Sequence, residues 1–185
     1  MAILVPASKM DYSQITAIRL SLRDRLQNAV VATMKQAPVI RDLMPSDVSG
    51  AASAAALFAR LTNKTALVAN TWLVNDLGFR QVPINTAIGI YGFVQLTPIP
   101  SIDAIAFTQG AVITFAQFFL DPIYADQESS IGYFDPPIAW APQQSIGVNL
   151  LANAAVSAAA EAYGLLGYVA EPGGQTVSPD SAQLV

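Results

Sequence analysis

The sequence predicts a mainly β protein, an antiparallel jelly-roll β-sandwich preceded by an α-helical N-terminal arm. Three observations predict it. Apolar residues recur at three- and four-residue steps between Ile15 and Val30. After about Thr62 the period changes to two, and the strand-like runs are separated by Pro and Gly corners. A parallel α/β sheet is excluded, because the crossover helices it needs are missing. The expected division is a basic helical arm over residues 1–61, a sandwich over 62–172 and a loosely ordered tail over 173–185.

Taken in order, Ile15, Ile18, Leu22, Leu26, Ala29 and Val30 lie on one face of a helix that starts at Asp11. Asp11 followed by Gln14 reads as a capping box, in which each side chain satisfies a free backbone amide of the first turn. Pro38 ends the pattern. Val39 to Pro45 is expected as a short helical turn, Ser46 to Gly50 as a linker, and Ala51 to Leu61 shows no clear face. Strands are expected at Thr65 to Val74, Val82 to Leu96, Ile102 to Thr108, Ala111 to Leu120, Ile131 to Trp140, Ser145 to Asn153 and Tyr163 to Ala170. Turn signals separate them, among them Asp76 to Gly78, Pro98-Ile99-Pro100, Asp121-Pro122, Ala141-Pro142 and Glu171 to Gly174.

The 185 residues include neither His nor Cys. The chain therefore lacks an imidazole base or metal ligand and has no thiolate nucleophile, zinc knuckle or disulfide. Charged residues make up 12%, about half the usual share, although 31 alanines account for much of the apolar excess. So little charge predicts extensive contact with copies of the chain or with a partner, hence a homo-oligomer. Ala104 to Leu120 and Leu150 to Ala170 are interrupted by polar residues and do not read as membrane spans. The first ten residues have no cationic stretch of the kind that opens a signal peptide, so a soluble, unsecreted chain is expected, with no membrane partner.

Charge is segregated along the chain. All nine cations lie at or before Arg80, where five acids accompany them, so residues 1–80 carry +4 and residues 81–185 carry −8. One explanation is that the two halves simply neutralise each other. The other is that the basic segment docks on an acidic surface of a neighbour, which makes Arg19, Arg23, Arg25 and Lys35 candidate docking residues. Against that stands the ordinary solvated face of an amphipathic helix. Nucleic acid is not expected as a partner, since an acidic body repels phosphate and +4 over 80 residues is no basic patch.

Asp121, Asp126, Glu128 and Asp135 supply oxygen ligands at spacings that match no EF-hand, and a solvated acidic loop explains them better than calcium. Trp72, Trp140, Tyr91 and Tyr133 could stack on sugars, but aromatics in strands usually serve a core or an interface. Serine hydrolysis would need a base, and Lys9, Lys35 and Lys64 all lie in or just after the helical segment. No phosphate-binding glycine loop occurs. The expectation is a non-enzymatic protein with no cofactor and no metal.

Ile90-Tyr91-Gly92-Phe93-Val94, Pro100 to Gly110, Ile131 to Pro137 and Gly164 to Pro172 together resemble the jelly-roll virion proteins of tailed and other icosahedral phages, which form or cement a capsid shell. The likeness covers residues 85–173, about half the chain, and rests on strands and corners without a diagnostic motif. It implies a structural role as a capsid cement or decoration protein, or as a minor capsid protein. It further implies symmetric oligomers, often trimers, bound to a capsid shell protein at the capsid surface after assembly in the host cytoplasm. A single-jelly-roll major capsid protein and a receptor- or carbohydrate-binding tail or vertex module are the alternatives. The helical segment departs from a minimal jelly roll.

Overall fold

The structure is a computed structural model and describes residues 3–32, 37–49, 59–74, 76–78, 80–109, 113–126 and 128–173. The chain opens with β1 (Ile3–Pro6), a short 3-10 turn (Ala7–Lys9), α1 (Tyr12–Val31), β2 (Pro38–Asp42), α2 (Pro45–Val48), β3 (Ala59–Thr62), β4 (Trp72–Leu73) and β5 (Arg80–Gln81). The longer strands follow as β6 (Ala87–Gln95), β7 (Ile102–Gln109) and β8 (Ile113–Phe119). After the single turn α3 (Asp121–Tyr124) come β9 (Ile131–Trp140), β10 (Ser145–Ala152) and β11 (Ala162–Pro172).

These strands form two antiparallel sheets. The six-stranded sheet runs β1-β9-β6-β11-β2, with β3 also on β11, and the five-stranded sheet runs β4-β10-β7-β8, with β5 also on β10. One edge of β11 is shared lengthwise, by β2 opposite Tyr168 to Pro172 and by β3 opposite Ala162 to Leu165. β4 and β5 divide an edge of β10 in the same way. The sheets stack face to face across a core that includes Ile88, Ile90, Phe134 and Trp140 from one and Ile105, Phe107, Phe118 and Val148 from the other. Phe118 and Phe134 meet at 4.4 Å between ring centroids, and Trp140 Nε1 donates to the Thr108 carbonyl at 3.1 Å. That bond satisfies the indole's one donor in an otherwise apolar interior.

Helix α1 forms a third layer on the outer face of the six-stranded sheet. Its capping box forms: Gln14 N–H donates to Asp11 Oδ1, and the Asp11 N–H donates back to Gln14 Oε1, both at 2.9 Å. Ile18, Leu22, Leu26 and Val30 are buried against Ala87, Tyr91, Tyr168 and Ala170 of β6 and β11. β6 is consequently buried on both faces, with Ile88 and Ile90 toward the inner core and Ala87 and Tyr91 under the helix. Close approach here requires glycine. A methyl built on Gly89 would stand 3.0 Å from Leu22 Cγ and nearer still to Cδ1, while one on Gly167 would meet the Gly89 carbonyl across the strand pair.

Several expectations need correction. The described residues of 1–61, expected as a helical arm, supply β1, β2 and all but the last residue of β3 to the six-stranded sheet and α1 as its cover. Val39 to Pro45, expected as a helical turn, is largely strand β2, because its backbone groups pair with β11 far along the chain. The linker expected at Ser46 to Gly50 holds most of α2. In Thr65 to Val74 only β4 and the isolated bridges at Leu67 and Ala69 are strand-like. The ambiguous segment Ala51 to Leu61 lies outside the described residues up to position 58, and Ala59–Thr62 is β3. Most of the expected tail also lies outside them.

Candidate interaction surfaces

Of the four docking candidates, three are engaged with the protein's own sheet. Arg19 Nε donates to Tyr168 Oη at 2.7 Å, and its guanidinium lies 5.6 Å and 5.8 Å from the Tyr91 and Tyr168 ring centroids. Arg23 also lies 5.8 Å from the Tyr168 centroid. Arg25 Nη1 donates to the Pro137 carbonyl at 2.8 Å. The hydrogen bond to Tyr168 holds the Arg19 guanidinium above its ordinary pKa, so its charge is permanent. Lys35 lies outside the described residues. Long arginine stems on the flanks of α1 thus cover tyrosines, and the docking role expected of them competes with this intramolecular one.

The two halves of the chain do meet through charge at Arg41. Its Nη1 and Nη2 reach the two Asp47 oxygens at 2.7 and 2.8 Å, and its Nε reaches Glu171 at 3.2 Å. These bonds tie β2, α2 and β11 together. Asp47 also accepts the Met44 N–H at 2.8 Å, so the small helix is capped by the same carboxylate.

The acidic candidates do not converge: among the described residues no group of three acidic side chains could hold a metal ion. Asp126 accepts from the Ser8 hydroxyl and the Glu128 amide, which lowers its pKa, the serine bond contributing most. The aromatic candidates serve packing. Trp140 is fully buried, and Tyr91 and Tyr133 stack under α1 at 6.2 Å between centroids. A cavity of about 380 Å³ does open between Gln95 to Pro100 and Ile123 to Ser130. Tyr124 lines it, donates to the Ile102 carbonyl and is pushed well up in pKa by burial.

The outer face of the five-stranded sheet carries the feature that sequence reasoning missed. Side chains alternate, so Ile105 and Phe107 of β7 enter the core while Ala104 and Ala106 belong to neither core cluster. Register places Phe119, Ala104, Leu151 and Trp72 side by side across β8, β7, β10 and β4. Gln117, Ala106 and Asn149 form the next row. Phe119 is 57% exposed, Leu151 and Trp72 are half-buried, and neither row holds a charged residue. Large side chains on both flanks shield the alanine floor, giving a shallow uncharged shelf. The signal in the sequence was the run Ala104 to Leu120, seventeen residues without a charge.

Among the described residues no helix is long and apolar enough to cross a membrane. No family model, curated protein or solved structure matches this chain.

Proposed function

We propose that this chain is a non-enzymatic structural protein of a virion, a jelly-roll subunit that self-associates and cements or decorates an icosahedral capsid shell. The observation that carries the reading is the nested order of strand pairing. β2 and β3 pair with β11, β4 and β5 with β10, β6 with β9, and β7 with β8. From β2 onward the early strands meet the late ones, each later pair lies one step inside, and successive pairs alternate between the two sheets, while β1 lies outside this order, on the edge of β9. One long antiparallel hairpin rolled into a sandwich would pair its strands in such a nested order, which supports the jelly-roll reading.

The same roll also builds lectins and cupins, so fold alone does not choose among functions. Chemistry narrows the choice, because a chain without His or Cys lacks the commonest side chains for holding a transition metal or activating a nucleophile. A shell component needs rigidity and contact surface. The three-layer packing supplies the first and the uncharged shelf on an acidic body supplies the second. Oligomers on a shell are the expected assembly, with a trimer favoured by the resemblance.

The test is quantitative mass spectrometry of purified particles, counting this chain against the most abundant shell protein. A ratio near one, or a simple fraction of it, is expected. Absence from particles overturns the virion reading. A few copies per hundred would transfer the protein to a vertex or tail, where the cavity beside Tyr124 would be the place to test sugar binding.

A further inference from the structure

From the edges of the two sheets we infer that β8 pairs antiparallel with β8 of a second copy across a two-fold axis, continuing the five-stranded sheet from one protomer into the next. This inference rests on the self-association proposed above, names the surface that carries it, and replaces the trimer implied by the resemblance with a two-fold contact.

A free sheet edge offers unpaired N–H and C=O groups, and proteins blunt such edges with short strands, proline or charge. Every other edge here is blunted in one of these ways. β1 has four residues and ends in Pro6, while β2 begins at Pro38 and carries Arg41 and Asp42. β3 has four residues including Arg60, and β4 and β5 have two each. By contrast β8 runs seven residues, Ile-Thr-Phe-Ala-Gln-Phe-Phe, with no proline, glycine or charge, and among the described residues only β7 pairs with it. Its one irregularity is a register shift opposite Phe107 and Thr108, which leaves Ala116 to Phe119 regular. Such a segment is the kind that zips onto another strand.

The self-association proposed above makes a second copy the occupant, and charge restricts where two copies can meet. Residues 81–185 carry eight acids and no cation, so two bodies repel each other wherever acidic surface meets acidic surface. The shelf and β8 are where they can meet without that repulsion. Asp121 stands two residues past the end of β8. Antiparallel pairing centred near Gln117 sends the two copies of Asp121 to opposite ends, about 25 Å apart at 3.4 Å per residue, beyond the ~8 Å screening length at physiological salt. Parallel pairing would set them side by side. A two-fold axis is also the symmetry at which a strand pairs with itself. With the axis perpendicular to the sheet, Gln117 of each copy stands on the outer face beside Gln117 of the other, Phe119 falls opposite residue 115, and the two shelves become continuous across the seam.

Sedimentation velocity of the full chain at ~100 μM, where a contact with a Kd of about 10 μM or tighter is mostly dimeric, tests this. The wild-type protein should sediment as a dimer. Gln117 is exposed, so Gln117→Lys and Gln117→Glu should keep their melting behaviour while like charges across the axis raise Kd by ~2- to 5-fold. An equimolar mixture of the two variants should recover the dimer, an outcome that misfolding would not produce. Leu20→Lys on the outer face of α1 should change nothing. A wild-type monomer, a wild-type trimer, a Gln117→Lys variant that still dimerises as tightly, or equal disruption by Leu20→Lys would each overturn the inference. A dimer that is absent from particles leaves the β8 contact standing and ends the virion reading. A protein abundant in particles but monomeric in solution does the reverse.

Discussion

Leu22 and Gly89 offer a test of whether α1 belongs to the fold or is a detachable arm. Leu22 is fully buried, and its isobutyl group fills the space over Gly89 where a side chain would otherwise stand. Leu22→Ala removes that group and leaves a cavity, which in a well-packed core costs about 3–5 kcal/mol. For a chain of 150–250 residues this lowers the melting midpoint by roughly 6–20 °C, at ~2–4 °C per kcal/mol. Gly89→Ala alone overpacks the same spot and costs about 1–3 kcal/mol. In the double variant the new methyl occupies room that Leu22 has vacated. The combined loss should then fall short of the sum by about 0.5–3 kcal/mol, the usual coupling of residues in contact. Thermal and urea denaturation of the four proteins, with Leu20→Ala as an exposed control, gives the cycle. If Leu22→Ala costs no more than Leu20→Ala, about 0.5 kcal/mol or less, the helix is not part of the cooperative unit and the three-layer account is refuted. Simple additivity would refute the packing of Leu22 on Gly89.

Two further predictions concern charge. Arg41→Ala should cost about 1–3 kcal/mol, seen as a lower denaturant midpoint at unchanged slope, because Asp47 and Glu171 keep their partly buried carboxylates without the guanidinium. Arg41→Lys should recover only part of this, since an ammonium cannot bridge both Asp47 oxygens in a planar fork. Asp76 is 6% exposed, and burial raises its pKa above 3.8 despite amide donations from Lys64 and Thr65. Between 3.8 and its folded value the native state therefore holds more proton than the unfolded chain, and stability falls as pH rises through that window. The stability of wild type relative to Asp76→Asn should decline over that interval, and a flat difference would show that the carboxyl is not desolvated.

Local features were legible in the sequence because neighbouring residues decide them. The Asp11–Gln14 cap and the Ile18–Val30 stripe depend on spacings of three and four, and they stand where the pattern puts them. β9, β10 and β11 likewise fall within a residue or two of the runs that suggested them. β1 and β2 were not legible, since four or five residues become a strand only when β9 or β11 stands alongside. The intramolecular partners of the arginines are hidden for the same reason. Arg19 looks like a solvated cation on its helix, and 149 residues separate it from the tyrosine hydroxyl that binds it. The shelf is hidden because its five apolar residues come from four strands.

The sequence by itself determined the class of the protein and the limits on its chemistry. A period that switches from helical to alternating, Pro and Gly corners, absent His and Cys, and a cation-free C-terminal half are properties of composition and order, and no folding step can change them. Tertiary structure alone decided which strand lies beside which, that Arg19 and Arg41 engage Tyr168 and Glu171 of the body, and that among the described residues β8 pairs on one side only. The physical reason is that strand pairing and face-to-face packing are contracts between distant residues. Backbone hydrogen bonds can be made with any extended partner, and the choice among partners is settled only when the whole core is buried at once.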